Sequence, residues 1–480
     1  MQRPRAAQYD AVVVGSGPNG LSAAMTLARA GWRVLVVERA AQFGGGLRSA
    51  ALTLPGFTHD VCATVLGLGA VSPAFRDLPL AQHGLAWAVP EIAAAHPLDT
   101  GDAAFVSQSF DETTRGLGAD GWAWRALVEP LVQRWDQLAE DVLSPLPLPP
   151  RHLFALAAFG VRAIWSARGL ARAWFRTEPA RALFAGFAAH SFLSLDAPLS
   201  AAFGVMLAVN AHCTGWVLAR GGSQRFADAL VAHAQSLGVE FVAEWEVKTL
   251  ADLPPARAVL CDITPRQLIA LAGDRMPAAY RGRLARFRYG PGVFKVDYAL
   301  SAPIPWRAQV CRRAGTVHLG GTLDEIAHSE SAVLRGHLPE RPYVLLVQPT
   351  VCDPSRAPEG KHVAWAYCHV PHGCAADMSA RIEAQIERFA PGFRECILAR
   401  AVKTAPQMEA WNPNYVGGDV NGGVQDWRQH FARPVLSRAP YRTPIPGVYL
   451  CSSSTPPGGG VHGMCGWHAA QCALADARSG

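Results

Sequence analysis

Residues 9–38 read YDAVVVGSGPNGLSAAMTLARAGWRVLVVE, and this stretch leaves the chain little freedom. A short buried strand, Tyr9 to Val14, runs straight into Gly15, Gly17 and Gly20 in G-x-G-x-x-G spacing. Ala24 falls four residues later on the expected helix face, Gly31 ends the helix, and a second strand closes at Glu38. Together they spell the strand–turn–helix–strand unit of a dinucleotide-binding fold. Gly15 makes the tight turn, Gly17 lets the backbone approach a pyrophosphate, and Gly20 lets the helix pack on the strand. The helix start, Pro18 and Asn19, holds the anion through free N–H groups and the dipole. Glu38, 18 residues past Gly20, is placed to accept ribose hydroxyls, which favours an adenosine without a 2′-phosphate. The plain alternative is a glycine-rich turn with no ligand.

A second glycine cluster follows. After Glu38 come five residues and then Gly44, Gly45 and Gly46, followed by Arg48 and Ser49. A plain NAD dehydrogenase has no need of it, whereas a long, extended FAD does. Arg48 can neutralise phosphate charge. The competing reading is a loop that only turns the chain.

Near the other end, TPIPGVYLCSSS reads as loop, strand (Val448 to Leu450) and turn. A strand of this kind is expected beside the first one. Ser452 and Ser453 stand where many FAD enzymes carry Gly-Asp near the ribityl chain. Gly458 to Gly460 then lead into a helix expected from near His462. A flat isoalloxazine ring lying on backbone would require side chains to be absent there. A helix N-terminus aimed at the ring would stabilise its reduced, anionic form. The alternative is a glycine-rich helix cap.

These motifs, with RGGSQRFADAL, RFAPGFRE and NPNYVGGDVNGG, give the whole chain a resemblance to a known group. It resembles the phytoene desaturase-like FAD oxidoreductases of the amine-oxidase-type superfamily. The likeness is to the bacterial branch that is also similar to pyridine nucleotide-disulfide oxidoreductase domain-containing protein 2. The resemblance implies FAD contacts at Gly15, Gly17, Pro18, Asn19, Glu38, Arg39, Gly45, Gly46, Arg48, Ser453, Gly460 and Val461. Val247 is implied as an adenine contact. The β-hairpin that usually follows it is missing, because EVKTLADLPPARAVLCD runs almost directly to Asp262. Disulfide-reductase chemistry does not carry over: it needs a C-x4-C pair, and this stretch has only Cys62. No second NAD(P)H fingerprint is found, since GPGVF at Gly290 lacks the strand–helix frame.

The expected fold is α/β. A Rossmann-type FAD-binding domain is assembled from residues 1–74, 214–275 and 435–480. A mainly helical region, 75–213, and a substrate domain with an antiparallel sheet, 276–434, are inserted between them. Trp122 to Leu143 has apolar residues at helical spacing. In VFKVDYAL, Phe294, Val296, Tyr298 and Leu300 share one face, with Lys295 and Asp297 on the other. Residues 150–175 are apolar with arginines scattered through them. A basic amphipathic helix there could contact a membrane, or pack on the protein's own core.

The net charge of +6 comes with only four lysines, and no basic block suits nucleic acid. Eleven cysteines without a CxxC pair or regular spacing suit reduced thiols. The opening residues lack the apolar segment of a secretory leader. The expectation is a cytoplasmic protein, soluble or peripheral to a membrane. In CHVPHGC, Cys368 and His369 are strand neighbours pointing to opposite faces, so no metal is expected.

Flavin takes a hydride from substrate while the protein supplies position and electrostatics. The expected activity is a dehydrogenase, desaturase or oxidase acting on an apolar polyene, isoprenoid or lipid. Oxidation of amines or other small molecules is the second reading, favoured if an aromatic cage stands at the flavin. A non-redox isomerase using reduced flavin, or a flavin-bound interaction protein, is the third. His462 is the expected proton-moving residue, with a helix-capping role as its alternative; Tyr367 and His59 follow.

Overall fold

A computed structural model describes residues 8–145 and 149–479. The first seven residues, on which the absence of a leader partly rests, lie outside them. One sheet is five-stranded and parallel, in the order Val448–Leu450, Ala256–Cys261, Tyr9–Val14, Val34–Val37, Glu240–Val242. Val34–Val37 is entirely apolar and fully buried, as a strand covered on both faces must be. Its helices include Pro18–Arg29 and the terminal Met464–Ser479. These two cross in direct contact at Gly466, where a Cβ would lie 1.8 Å from the Asn19 carbonyl oxygen. Val448–Leu450 pairs with Ala256–Cys261 and not with the first strand, so it stands one position farther out than expected.

The second sheet has seven strands, in the order Ile397–Lys403, Gly292–Leu300, His362–Val370, Val344–Val347, Ala314–Leu319, Ile92–Pro97, Ala103–Val106. It is antiparallel except where Ala314–Leu319 runs parallel to Ile92–Pro97. Two of its strands thus come from the region expected to be mainly helical. Their alanine-rich sequences, IAAAHP and AAFV, carry little strand propensity, and pairing decides them. Lys295 and Asp297 do lie on the face opposite Phe294 and Val296, but both faces are buried. Helix Ser379–Phe389 covers the Phe294 face with Ile382, Ile386 and Phe389.

The segment Trp122 to Leu143 forms two helices, Gly121–Val132 and Trp135–Val142. Pro130, inside the first, removes a backbone donor just before the break. Residues 153–174 likewise form two helices, Leu153–Ala163 and Ala167–Trp174, bent by 94°. No single helix among the described residues is long and apolar enough to cross a membrane. A buried ion cluster ties the parts together: Arg356 donates to Asp60 at 2.9 Å and to Asp353 at 3.0 Å. Asp60 also accepts from Ser49 Oγ and from the Ser223 N–H.

Candidate functional site

One continuous cavity of about 740 Å³ begins at the edge of the parallel sheet and ends against the seven-stranded one. Its first stretch is lined by Gly15, Gly17, Pro18, Asn19, Glu38, Arg39 and Val247, its middle by Gly45, Gly46 and Arg48, and its far wall by Ser453, Gly460 and Val461. Twelve of these were expected from the resemblance at the nucleotide itself, and Val247 beside its adenine.

The turn leaves no side chain in the way. Gly17 is the N-cap of helix Pro18–Arg29 and brings no capping side chain of its own. A Cβ on Gly45 would lie 2.8 Å from Gly17 Cα, and one on Gly46 would lie 2.4 Å from Tyr415 Oη. Glu38 is held in place by its own chain: Oε2 accepts from the Ser16 N–H and hydroxyl at 2.9 and 2.6 Å, and Oε1 from the Ala40 N–H at 2.9 Å. Oε2 is thereby filled, and Oε1 keeps one lone pair for a ligand hydroxyl. Arg48 donates to the Gly45 carbonyl at 3.0 Å and stacks 4.0 Å above the Trp411 ring. Its guanidinium is thereby fixed beside the glycine loop.

Gly20 lies outside the cavity wall. A Cβ there would strike the Gly15 carbonyl at 2.1 Å, so its role is packing, as the motif requires. The three glycines 458–460 divide differently from expectation. Only Gly460 lines the cavity. A Cβ on Gly458 would lie 2.8 Å from Arg433, and one on Gly459 2.6 Å from the Asn421 carbonyl. Those two admit the chain's own 421–433 segment, not a ring.

His462 is buried and is not part of the cavity wall. Its Nε2 faces the Gly458 carbonyl at 3.2 Å, and its Nδ1 faces the Met464 N–H at 3.1 Å. A carbonyl can only accept and an amide can only donate, so Nε2 carries the hydrogen and Nδ1 is occupied. Burial lowers its pKa to about 4. The ring is a neutral cap on the terminal helix, which begins at Met464, and has no free lone pair for catalysis. His59 is also buried behind the wall, bonded to Thr53, with its pKa lowered by burial to about 4. Tyr367 is the one of the three that lines the cavity.

The far end is built by the sheet register. Thr316, Val347 and Trp365 are successive cross-strand partners, as are His318, Leu345 and Tyr367. Trp365 and Tyr367 stack side by side, with centroids 5.7 Å apart at 20°. Leu207 and Asn210 of helix Ser200–Thr214, with His190 and Trp216, close the other side. The acidic residues that line the cavity are Glu38, Glu246 and Asp262, all at the glycine-turn end. Behind Trp365 lies buried Lys295, 4.9 Å from its ring centroid and paired with Asp297.

Comparisons with known proteins agree with this geometry. A family model described as an NAD(P)-binding Rossmann-like domain matches residues 13–78. Pyridine nucleotide-disulfide oxidoreductase domain-containing protein 2 of Rattus norvegicus is 25% identical, over 98% of this chain and 94% of its own. A limonene dehydrogenase chain of Castellaniella defragrans is 23% identical, over 98% and 95%. Phytoene desaturase of Fusarium fujikuroi is 26% identical, over 73% and 64%. The solved structure of putrescine oxidase with putrescine bound shares the fold, with a TM-score of 0.61, 18% identity, and 99% and 100% of the chains covered. The chain is an oxidoreductase similar in sequence to a phytoene desaturase, and it shares the fold of an amine oxidase.

Several lining residues of this oxidoreductase escape a reading of the first and last motifs. Asp262, at the end of strand Ala256–Cys261, accepts the Gly20 N–H at 3.1 Å. Burial raises its pKa to about 7. Trp411, Asn412, Pro413, Asn414 and Tyr415 line the middle of the cavity, and Asn414 bonds the Asp262 carbonyl at 3.0 Å. The dense Asn and Gly of WNPNYVGGDVNGG was the signal available for them.

Proposed function

We propose that this oxidoreductase holds FAD non-covalently and oxidises an apolar, isoprenoid- or lipid-like substrate. The observation that carries the reading is the single cavity joining the Gly15–Gly20 turn to an apolar wall of Leu207, Leu345, Val347, Trp365 and Tyr367. The residues present fit FAD. Gly17, Gly45 and Gly46 line the cavity, and a Cβ on any of them would strike the chain's own atoms, so bare backbone faces the ligand there. Asn19 Oδ1, Asn414 Oδ1 and Asn421 Nδ2 are buried polar atoms without a protein partner, and all three residues line the cavity. In this reading Glu38 takes the ribose hydroxyls, Arg48 and the helix start at Pro18 take the pyrophosphate, and Gly460 and Val461 flank the ring. When bound, flavin supplies a hydride acceptor. Tyr367, whose phenol burial pushes well above its usual pKa, stays neutral and can orient substrate or donate a hydrogen bond.

The walls favour an apolar substrate over an amine. Trp365 and Tyr367 are neighbours on one strand and do not form two facing walls. No carboxylate lines the far end among the described residues, so an ammonium would find no counter-charge there. The limonene and phytoene enzymes among the relatives are named for isoprenoid substrates, which supports the same reading.

The test is to identify the nucleotide that the purified, yellow protein releases on acid treatment. The reading expects FAD. FMN, NAD or no nucleotide, even after FAD is supplied during purification, would overturn it.

A further inference from the structure

Helix Leu153–Ala163 is apolar on two sides. Ala155, Phe159 and Ala163 are buried, and the helix packs on Ser200–Thr214. Leu153, Phe154, Ala157, Val161 and Ile164 face solvent: Phe154 is 87% exposed, Ile164 62%, and Leu153 and Val161 60%. At helical spacing these five fall within an arc of about 100°, and Trp165, 44% exposed, continues it. A helix on the surface of a protein in water turns its polar side outward. This one turns outward a stripe without a single charge.

We propose that the stripe seats the protein on an anionic lipid bilayer, with the helix lying in the headgroup boundary. Charge selects this occupant. From Val142 to Thr177 the sequence holds no Asp or Glu and five arginines, Arg151, Arg162, Arg168, Arg172 and Arg176. Asp324 matches Arg168 and Arg172. Arg151, at the start of the helix, and Arg176 are exposed and make no ion pair among the described residues. Basic residues bordering an apolar helix face complement anionic headgroups. A second copy on the same face would bring two sets of arginines together.

The shape favours lying on the bilayer over crossing it. The chain turns 94° after Ala163, and the next helix buries Ala167, Leu170 and Ala171 in the protein. The inner side of Leu153–Ala163 packs on the helix that carries Leu207 and Asn210, so the docked face stands one helix from the apolar end of the cavity. Docking itself needs no flavin and does not rest on the redox reading.

Flotation of the full chain with vesicles tests the proposal. Vesicles of phosphatidylcholine alone are compared with vesicles containing about a quarter phosphatidylglycerol, each at low and high salt. Binding is expected on the anionic vesicles, falling with salt, and Trp165 fluorescence should be quenched by brominated acyl chains. The double variant Phe154→Ser, Ile164→Ser alters only exposed side chains. It should melt like wild type and lose binding about tenfold or more. A wild-type protein that stays unbound to both vesicles, or a double variant that binds as wild type does, overturns the proposal. So does a dimer that the double variant splits, found together with no vesicle binding. Colourless protein that still binds anionic vesicles would support docking while counting against the flavin reading.

Discussion

A Cβ on Gly17 would stand 2.7 Å from Oδ2 of Asp262, the same oxygen that accepts the Gly20 N–H at 3.1 Å. The glycine turn is therefore pinned between the nucleotide end of the cavity and a carboxylate on the neighbouring strand. Gly17→Val should lose FAD completely, because its side chain meets Asp262 on one side and the cavity on the other. Absorbance of the purified variant checks this. Full retention of FAD would mean that the turn does not face the pyrophosphate.

Asp262 gives a pH dependence. Burial pushes its carboxyl up to about 7, Glu38 adds to the rise, and the Gly20 N–H opposes it. The folded protein holds this proton more tightly than the unfolded chain, whose aspartates titrate near 4. Stability from this site is full below that value and is lost as pH rises through about 7. Melting temperature should fall between about pH 4 and pH 7 and level off above, and Asp262→Asn should flatten that slope. If the pyrophosphate lies at the Gly15–Gly20 turn as proposed, FAD retention should fall as Asp262 ionises near pH 7. A slope equal in wild type and the Asp262→Asn variant would assign the effect elsewhere.

Arg356 lies wholly buried between Asp60 and Asp353. Arg356→Met would leave two buried carboxylates without their cation. The expected cost is about 3–5 kcal/mol, read from denaturant unfolding. A loss below about 1 kcal/mol, the worth of an exposed pair, would contradict the burial argument.

The glycines near the C-terminus separate folding from cofactor binding. Gly459→Ala puts a Cβ 2.6 Å from the Asn421 carbonyl, so it should lower stability by about 1–3 kcal/mol, with the visible spectrum unchanged in the folded fraction. Gly460 sits at φ +128° on the cavity wall, and Gly460→Leu should alter the spectrum or release FAD. His462→Ala removes a cap and should cost about 0.5–2 kcal/mol while leaving the rate of flavin reduction within a few-fold. A rate fall of about a hundredfold would restore His462 as a proton carrier.

The glycine-turn end of the cavity was legible because tight turns and close packing demand glycine at fixed spacing: Gly15, Gly17, Gly45 and Gly46 all line it. The same logic misled at Gly458 and Gly459, because sequence does not say whether the approaching group is a ligand or Asn421. Lys295 and Asp297 showed the right alternation, but that both faces are buried was not legible, since the partners that cover a strand are remote in sequence. Asp262 and the Trp411–Tyr415 wall reach the site only through the fold. The Trp365–Tyr367 floor depends on strand register, which no local pattern specifies. Ile92–Pro97 was missed because alanine carries so little strand signal.

The most direct measurement is anaerobic stopped-flow of the FAD-loaded enzyme against matched substrates, an apolar isoprenoid or lipid on one side and a primary diamine on the other. An apolar compound should bleach the flavin's visible band within the mixing experiment, and the diamine should not. Bleaching by the diamine alone would contradict the proposed function, because the Leu207–Tyr367 end of the cavity offers an ammonium no partner.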